Sequence, residues 1–339
     1  PVVHQSFTGS ANIKSLWGLS LNECKTLWRN TYFRIIMLFG LLFLFISSME
    51  LGKIYDTTIY PVTYAVVEIF GGTFQLFIVI LTIMFSGELV WRGRDFRMSN
   101  ILDSLPVPNW VFYVSKISGL LFMQILVLGI IMVAGIIVQL FHGYTNFEIL
   151  LYVKYLLAFR LPDLVMLAVM AVFVQTIVRN KFLGYFIASL FYFWNSIFAF
   201  LVLKQNLFVF SSDPGIMYSD MNGFGHAVYP YLVYKVYWGA FCICLAALSS
   251  LLWARGTEDR IRLRFANAVS GKNRTSWIVL TAGLLVFLFC GGFIYYNTNV
   301  QNEFLTDFQR KELQAKYEQK YKRYEQSAQP KITDVSLHV

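Results

Sequence analysis

Few residues in this sequence are spaced for bond-making chemistry. The histidines His4, His142, His226 and His338 stand far apart and form no HExxH signature, the helical pair that holds zinc beside a glutamate base. Cys24, Cys242, Cys244 and Cys290 show neither metal-ligand spacing nor a disulfide framework. They read as small packing residues. Ser270-Gly271-Lys272 lacks the upstream glycines that cradle a phosphate. Neither a catalytic set nor a metal site is expected within the chain.

Two other groups of residues have physical reasons to matter. Glu68, Gln75, Lys116, Asn195 and Lys235 fall inside or near the ends of apolar runs, where ionisable and amide groups are costly and mark pathways or helix contacts. Lys116 and Lys235 lie near enough to span ends to snorkel to an interface. Gln75 and Asn195 suit bridges between helices. The second group is the segment from Glu88 to Asn109, with Glu88, Arg92, Arg94, Asp95, Arg97 and Asp103 closed by Pro106-Val107-Pro108. Mixed charge beside a rigid turn suits either a solvated loop or a docking surface for a cytoplasmic partner.

The elements that must carry these residues are set by hydropathy. Of 339 residues 57% are apolar and 14% charged, against about 25% charged in soluble domains. The charges collect between apolar runs long enough to cross a bilayer, which takes ~20 helical residues. Lipid forces every backbone polar group to be satisfied internally, and these runs lack the alternation of barrel strands. The expected fold is therefore all-α, a polytopic transmembrane helical bundle. Seven spans are expected, at residues 33–50, 64–88, 110–140, 163–178, 182–203, 230–254 and 277–296. An amphipathic helix over 15–29, with Trp17, Leu21, Cys24 and Trp28 on one face, suits the membrane interface. Residues 146–161 read as a surface helix broken by Pro162, with Asp163 capping the next.

Lysine and arginine orient the bundle. The N-terminal flank, the 89–109 segment, the 178–181 turn and the 255–275 segment hold fifteen, whereas the opposite short loops hold only Lys53 and Lys204. By the positive-inside rule the N-terminus is cytoplasmic and the tail beyond span seven is extracytoplasmic. The basic residues thus read as orientation signals rather than a nucleic-acid surface. The tail is highly charged over 302–326 and predicts a stalk helix about 35–40 Å long, with Glu312–Lys316 and Glu318–Lys322 as i,i+4 pairs. Lys331–Val339 predicts a strand. That strand, and Pro1 in the place of a Met, lead us to expect a longer protein.

The interfacial helix, six spans, and Gly87-Glu88-Leu89-Val90-Trp91-Arg92 through Asp95, followed by Ile101-Leu102-Asp103-Ser104-Leu105-Pro106, resemble an ABC-2 type transporter permease half. In that family the loop after the second span contacts the ATPase subunit. Tyr295-Tyr296-Asn297-Thr298-Asn299 and Gln329-Pro330-Lys331-Ile332-Thr333-Asp334-Val335 resemble the junction in large bacterial proteins that fuse such a permease to an M1-family aminopeptidase. The resemblance implies an inner-membrane permease driven by a separate ABC ATPase, with a second permease half in the same or another chain. ATP would then be bound by the partner, and zinc only by a peptidase domain beyond residue 339. The expected division is an N-terminal segment 1–30, a six-span domain 31–256, a basic loop 257–276, a seventh span 277–297, a stalk 298–329 and a first strand 330–339. Two other readings stand beside it: a passive anchor for an extracytoplasmic peptidase, and an ion-coupled transporter using Glu68 or Lys116.

Overall fold

The computed structural model describes residues 9–48, 53–54, 57–58, 60–98, 101, 104, 107–201, 205–253, 264, 266, 268–269, 274–305, 307–325, 327 and 334–336. It is 82% helical. The strands described are two residues each, β1 (Lys53–Ile54) and β2 (Thr57–Thr58), paired antiparallel.

The first compact unit runs to Gly292. Helix α1 (Gly9–Arg29) meets α2 (Thr31–Ser48) at a 61° bend. Asn30 makes the corner: its side-chain oxygen accepts hydrogen bonds from the backbone N–H groups of Tyr32 (2.9 Å) and Phe33 (3.4 Å), an N-cap that starts α2 afresh. Helix α3 (Thr63–Thr73) and α4 (Gln75–Asp95) follow. At their junction Phe74, fully buried, lies so close to Gly40 of α2 that a Cβ there would stand 2.3 Å from its ring. Helix α5 (Asn109–Phe141), 33 residues long, is the central rod.

Next, α6 (Ile149–Val153), a π-helical stretch (Lys154–Arg160) and α7 (Leu161–Ile177) form one continuous 29-residue rod. This corrects the expectation of a surface helix ending at Pro162. Proline lacks an N–H and crowds the carbonyl four residues back. Here the Tyr231 hydroxyl donates to the carbonyls of Ala158 (3.3 Å) and Phe159 (2.8 Å). A neighbouring helix thus satisfies the groups that proline releases, and the π-helical turns absorb the misfit. Asp163 makes no cap; its carboxylate turns to another helix.

Helix α8 (Lys181–Leu201), α9 (Gly225–Leu251) and α10 (Arg274–Tyr295) complete the bundle. Among the described residues five helices are long and apolar enough to cross a membrane: α4, α5, the α6–α7 rod, α9 and α10 with its extension. Counting the bent α1–α2 pair as one broken span gives six. Helix α8 is also apolar, and its 21 residues extend about 31 Å. The core runs along α2, α3, α4, α5 and α7 through Phe33, Phe70, Phe85, Leu120, Met123 and Val172. Leu285, Leu288 and Phe289 on α10 are exposed, as side chains facing lipid are.

The second unit, Phe293–Val339, holds a π-helical stretch (Tyr296–Gln301), helix α11 (Asp307–Tyr321) and a 3₁₀ turn (Lys322–Tyr324). The stalk is shorter than expected: fifteen helical residues, about 22 Å. Asn297, Thr298 and Asn302 bond the carbonyls of Phe293, Ile294 and Asn297. Such side chains compete with the backbone ladder and end the preceding helix. The Glu312–Lys316 pair forms at 2.7 Å. Asp334–Ser336 carry no regular structure, and the rest of the expected terminal strand lies outside the described residues.

Candidate functional site

The charged segment is not a loop at its start. Residues Glu88–Asp95 form the last turns of α4, because their charges have partners on two neighbouring helices, α1 and α8. Glu23 of α1, 4% exposed, faces Arg92 at 3.3 Å and bonds Lys116 of α5. Lys181 at the head of α8 reaches Glu88 at 3.2 Å and Asp95 at 2.9 Å. The α1–α5 contact is close because Gly119 leaves room: a Cβ there would meet that of Glu23 at 3.0 Å. Ser118 donates to Ser20 at 2.7 Å along the same seam. Trp17, Leu21 and Trp28 remain exposed on the other face of α1, as an interfacial helix requires.

Beneath these ion pairs Trp91 donates its indole N–H to Gln175 Oε1 at 2.9 Å. The Gln175 side chain passes between Gly87 and Gly184, where added Cβ atoms would stand 2.8 and 2.2 Å from it. Small residues let α4, α7 and α8 approach this closely. The Arg94 guanidinium lies over the Trp91 ring, 4.7 Å from its centroid.

Helix α4 then stops in a Schellman turn. The Met98 N–H bonds the Gly93 carbonyl at 2.8 Å, and the Arg97 N–H that of Arg94 at 2.9 Å. This motif puts its linking residue in the left-handed region, normally glycine. Helix α5 follows the rule with Gly143, φ 74°, whereas α4 uses Arg97, φ 55°. Phe96, Met98 and Ile101 around it are all exposed. Of the six charged residues singled out by sequence, Glu88, Arg92 and Asp95 are tied into the bundle, Arg94 covers Trp91, Arg97 is exposed, and Asp103 lies outside the described residues.

Three of the polar residues within the helices, Gln75, Asn195 and Lys235, gather around the middle of the α6–α7 rod. Gln75 accepts from Arg160 Nη2 at 2.7 Å and donates to the Tyr192 hydroxyl at 3.2 Å, so it bridges α4, the rod and α8. Asn195 pairs with both backbone groups of Phe210, at 3.0 and 3.1 Å. Lys235 does not snorkel. It is 7% exposed and its ammonium donates to Asp163, to Asp213 at 2.7 Å and to the Ser211 carbonyl at 2.9 Å. Lys116 is likewise paired, with Glu23. Glu68 is exposed. The irregular segment 205–213 therefore packs among α7, α8 and α9, with Leu207 and Val209 buried, and its backbone is satisfied by side chains, as non-helical chain inside a bundle must be.

Glu23, Asp163, Gln175 and Arg160 had no individual role in the sequence reading as ligands or bridges. The one legible sign was a charge or amide interrupting an apolar face. Residues 20–196, slightly more than half of the chain, match the family described as ABC-2 family transporter protein. No curated protein matches the chain.

Proposed function

The chain belongs to the ABC-2 transporter family, a multi-pass membrane permease, and from that premise we propose that the Arg97 turn receives a separate cytoplasmic ATPase. The observation that carries this reading is the turn itself. A non-glycine residue in the left-handed region costs about 1–2 kcal/mol, and such strain is retained where surroundings or function require the side chain. Around Arg97 three apolar side chains stand in the open, an anchor-and-charge arrangement typical of interface cores. Behind it, the Glu23–Arg92–Lys116 and Glu88–Lys181–Asp95 ion pairs join α4 to α1, α5 and α8. A push on the turn is thereby passed to four helices at once.

In this proposal the arginine-rich end faces the cytoplasm, in line with the distribution of lysine and arginine, and a second permease half completes the transporter. ATP acts on the partner. The likeness of the tail to a permease–aminopeptidase junction adds an M1 peptidase after Val339, with the zinc site there; an HExxH motif in the downstream sequence is its test. For docking, the test is co-purification of the ATPase subunit with Phe96→Asp and Arg97→Glu variants. Loss of association with the helical content retained is expected. Undiminished association of both variants would overturn the assignment.

A further inference from the structure

Midway along the α6–α7 rod a cavity of about 340 Å³ opens between α4, α7, α8 and the 205–213 segment. Asp163, which lines it, is the central residue of the 29-residue rod. Three charged residues face this space: Arg160, Asp163 and Asp213. Behind them Lys235 bonds both aspartates.

The two signs of charge are held differently. Arg160 sits where the π-helical stretch ends, a departure from α geometry that recurs at functional sites. Its Nη2 is pinned by Gln75 Oε1 at 2.7 Å and the Gly71 carbonyl at 3.4 Å. Tyr192 in turn fixes the Gln75 amide. No carboxylate among the described residues pairs with Arg160. Guanidinium carries five N–H donors, and the hydrogen bonds Arg160 makes engage Nη2, so Nε and Nη1 keep single charge-assisted donors for a carboxylate or phosphate in the cavity it lines. On the other side one lysine serves two aspartates, which leaves one negative charge in excess. Lys235 has no capacity left, because its three donors go to Asp163, Asp213 and the Ser211 carbonyl. Counted with Lys235, these described charges are neutral in sum, but they present a separated plus and minus to the cavity. An inorganic anion would satisfy Arg160 and be repelled by the aspartates.

We propose that this cavity binds a small zwitterion, with its carboxylate or phosphate on Arg160 and its ammonium toward Asp163 and Asp213. A free amino-acid-like or short-peptide solute and a phosphoethanolamine lipid headgroup share this chemistry. The inference adds a ligand class to the transport reading, and binding is measured without ATPase or ATP, so failure of the docking assignment leaves it standing.

The test uses the full chain purified in detergent and two probes: the dipeptide Ala-Ala, by equilibrium titration, and phosphatidylethanolamine, by retention in native mass spectrometry. Acetate and ethylammonium serve as single-charge controls. At least one zwitterion should bind saturably and at least tenfold more tightly than either control, equivalent to about 1.4 kcal/mol. Binding of the dipeptide alone identifies a soluble ligand, and of the lipid alone a headgroup site; both support the shared chemistry. Arg160→Gln should weaken binding at least tenfold, with Arg160→Lys between. Asp213→Asn leaves Lys235 its Asp163 and Ser211 partners and so keeps a variant in hand if Arg160→Gln fails to fold. It should weaken zwitterion binding and strengthen that of acetate. The proposal is overturned if neither zwitterion binds, if acetate binds as well as the zwitterion to the wild type, or if a folded Arg160→Gln or Asp213→Asn variant binds the zwitterion unchanged.

Discussion

Replacing Glu23 with alanine removes the carboxylate that Arg92 and Lys116 both face. At 3.3 Å and an effective dielectric constant of about 20, the Arg92–Glu23 attraction alone is about 5 kcal/mol before desolvation is counted. Desolvation offsets much of that in the intact pair, but truncating one member leaves the cations without compensation, a loss of about 3–5 kcal/mol for fully buried pairs. Arg92 keeps 27% side-chain exposure and Lys116 15%, so solvent recovers part of it. We expect Glu23→Ala to cost about 2–3 kcal/mol. Lys116→Met keeps the stem and removes the charge, and its cost should be smaller. The double variant should fall short of the sum by about 1–2 kcal/mol, the coupling typical of residues in contact. The assay is equilibrium unfolding in mixed micelles with increasing dodecyl sulfate, followed by tryptophan fluorescence. A Glu23→Ala cost below about 0.5 kcal/mol, or a strictly additive cycle, would refute the view that this cluster locks α1 to the bundle.

Three further outcomes follow from the same structure. Tyr231→Phe should cost about 1 kcal/mol, and adding Pro162→Ala should recover part of it, because the restored N–H again serves the carbonyl four residues back; no recovery in unfolding measurements would mean that the hydroxyl acts otherwise. Gly184→Val should destabilise by about 1–3 kcal/mol by overpacking onto Gln175, whereas Gly129→Ala, with open space around it, should be neutral or mildly stabilising in the same assay. Arg97→Gly should raise stability by about 1 kcal/mol through relief of the left-handed strain while weakening ATPase association, and a glycine variant that both gains stability and binds normally would remove the reason for assigning docking to Arg97.

Hydropathy alone determined that the chain is an all-helical membrane protein, because a bilayer accepts only long apolar helices or closed barrels. The motif at Gly87–Pro106 was legible for a related reason: it is local, and the family match over residues 20–196 covers it. Gln75 and Asn195 were also readable as bridges, since an amide in an apolar helix needs a partner. The identity of each partner was not readable. Glu23 and Lys116 are 93 residues apart, and Asp163 and Lys235 are 72 apart, so only the packing of the helices brings them together. The same reason explains the misreadings at Pro162, Lys116 and Lys235. A proline ends a helix unless another helix donates to its orphaned carbonyl, and a lysine snorkels unless carboxylates meet it inside. Sequence records neither condition. Tertiary structure decided both, because only the packed helices bring the hydroxyl to the proline and the carboxylates to the lysine.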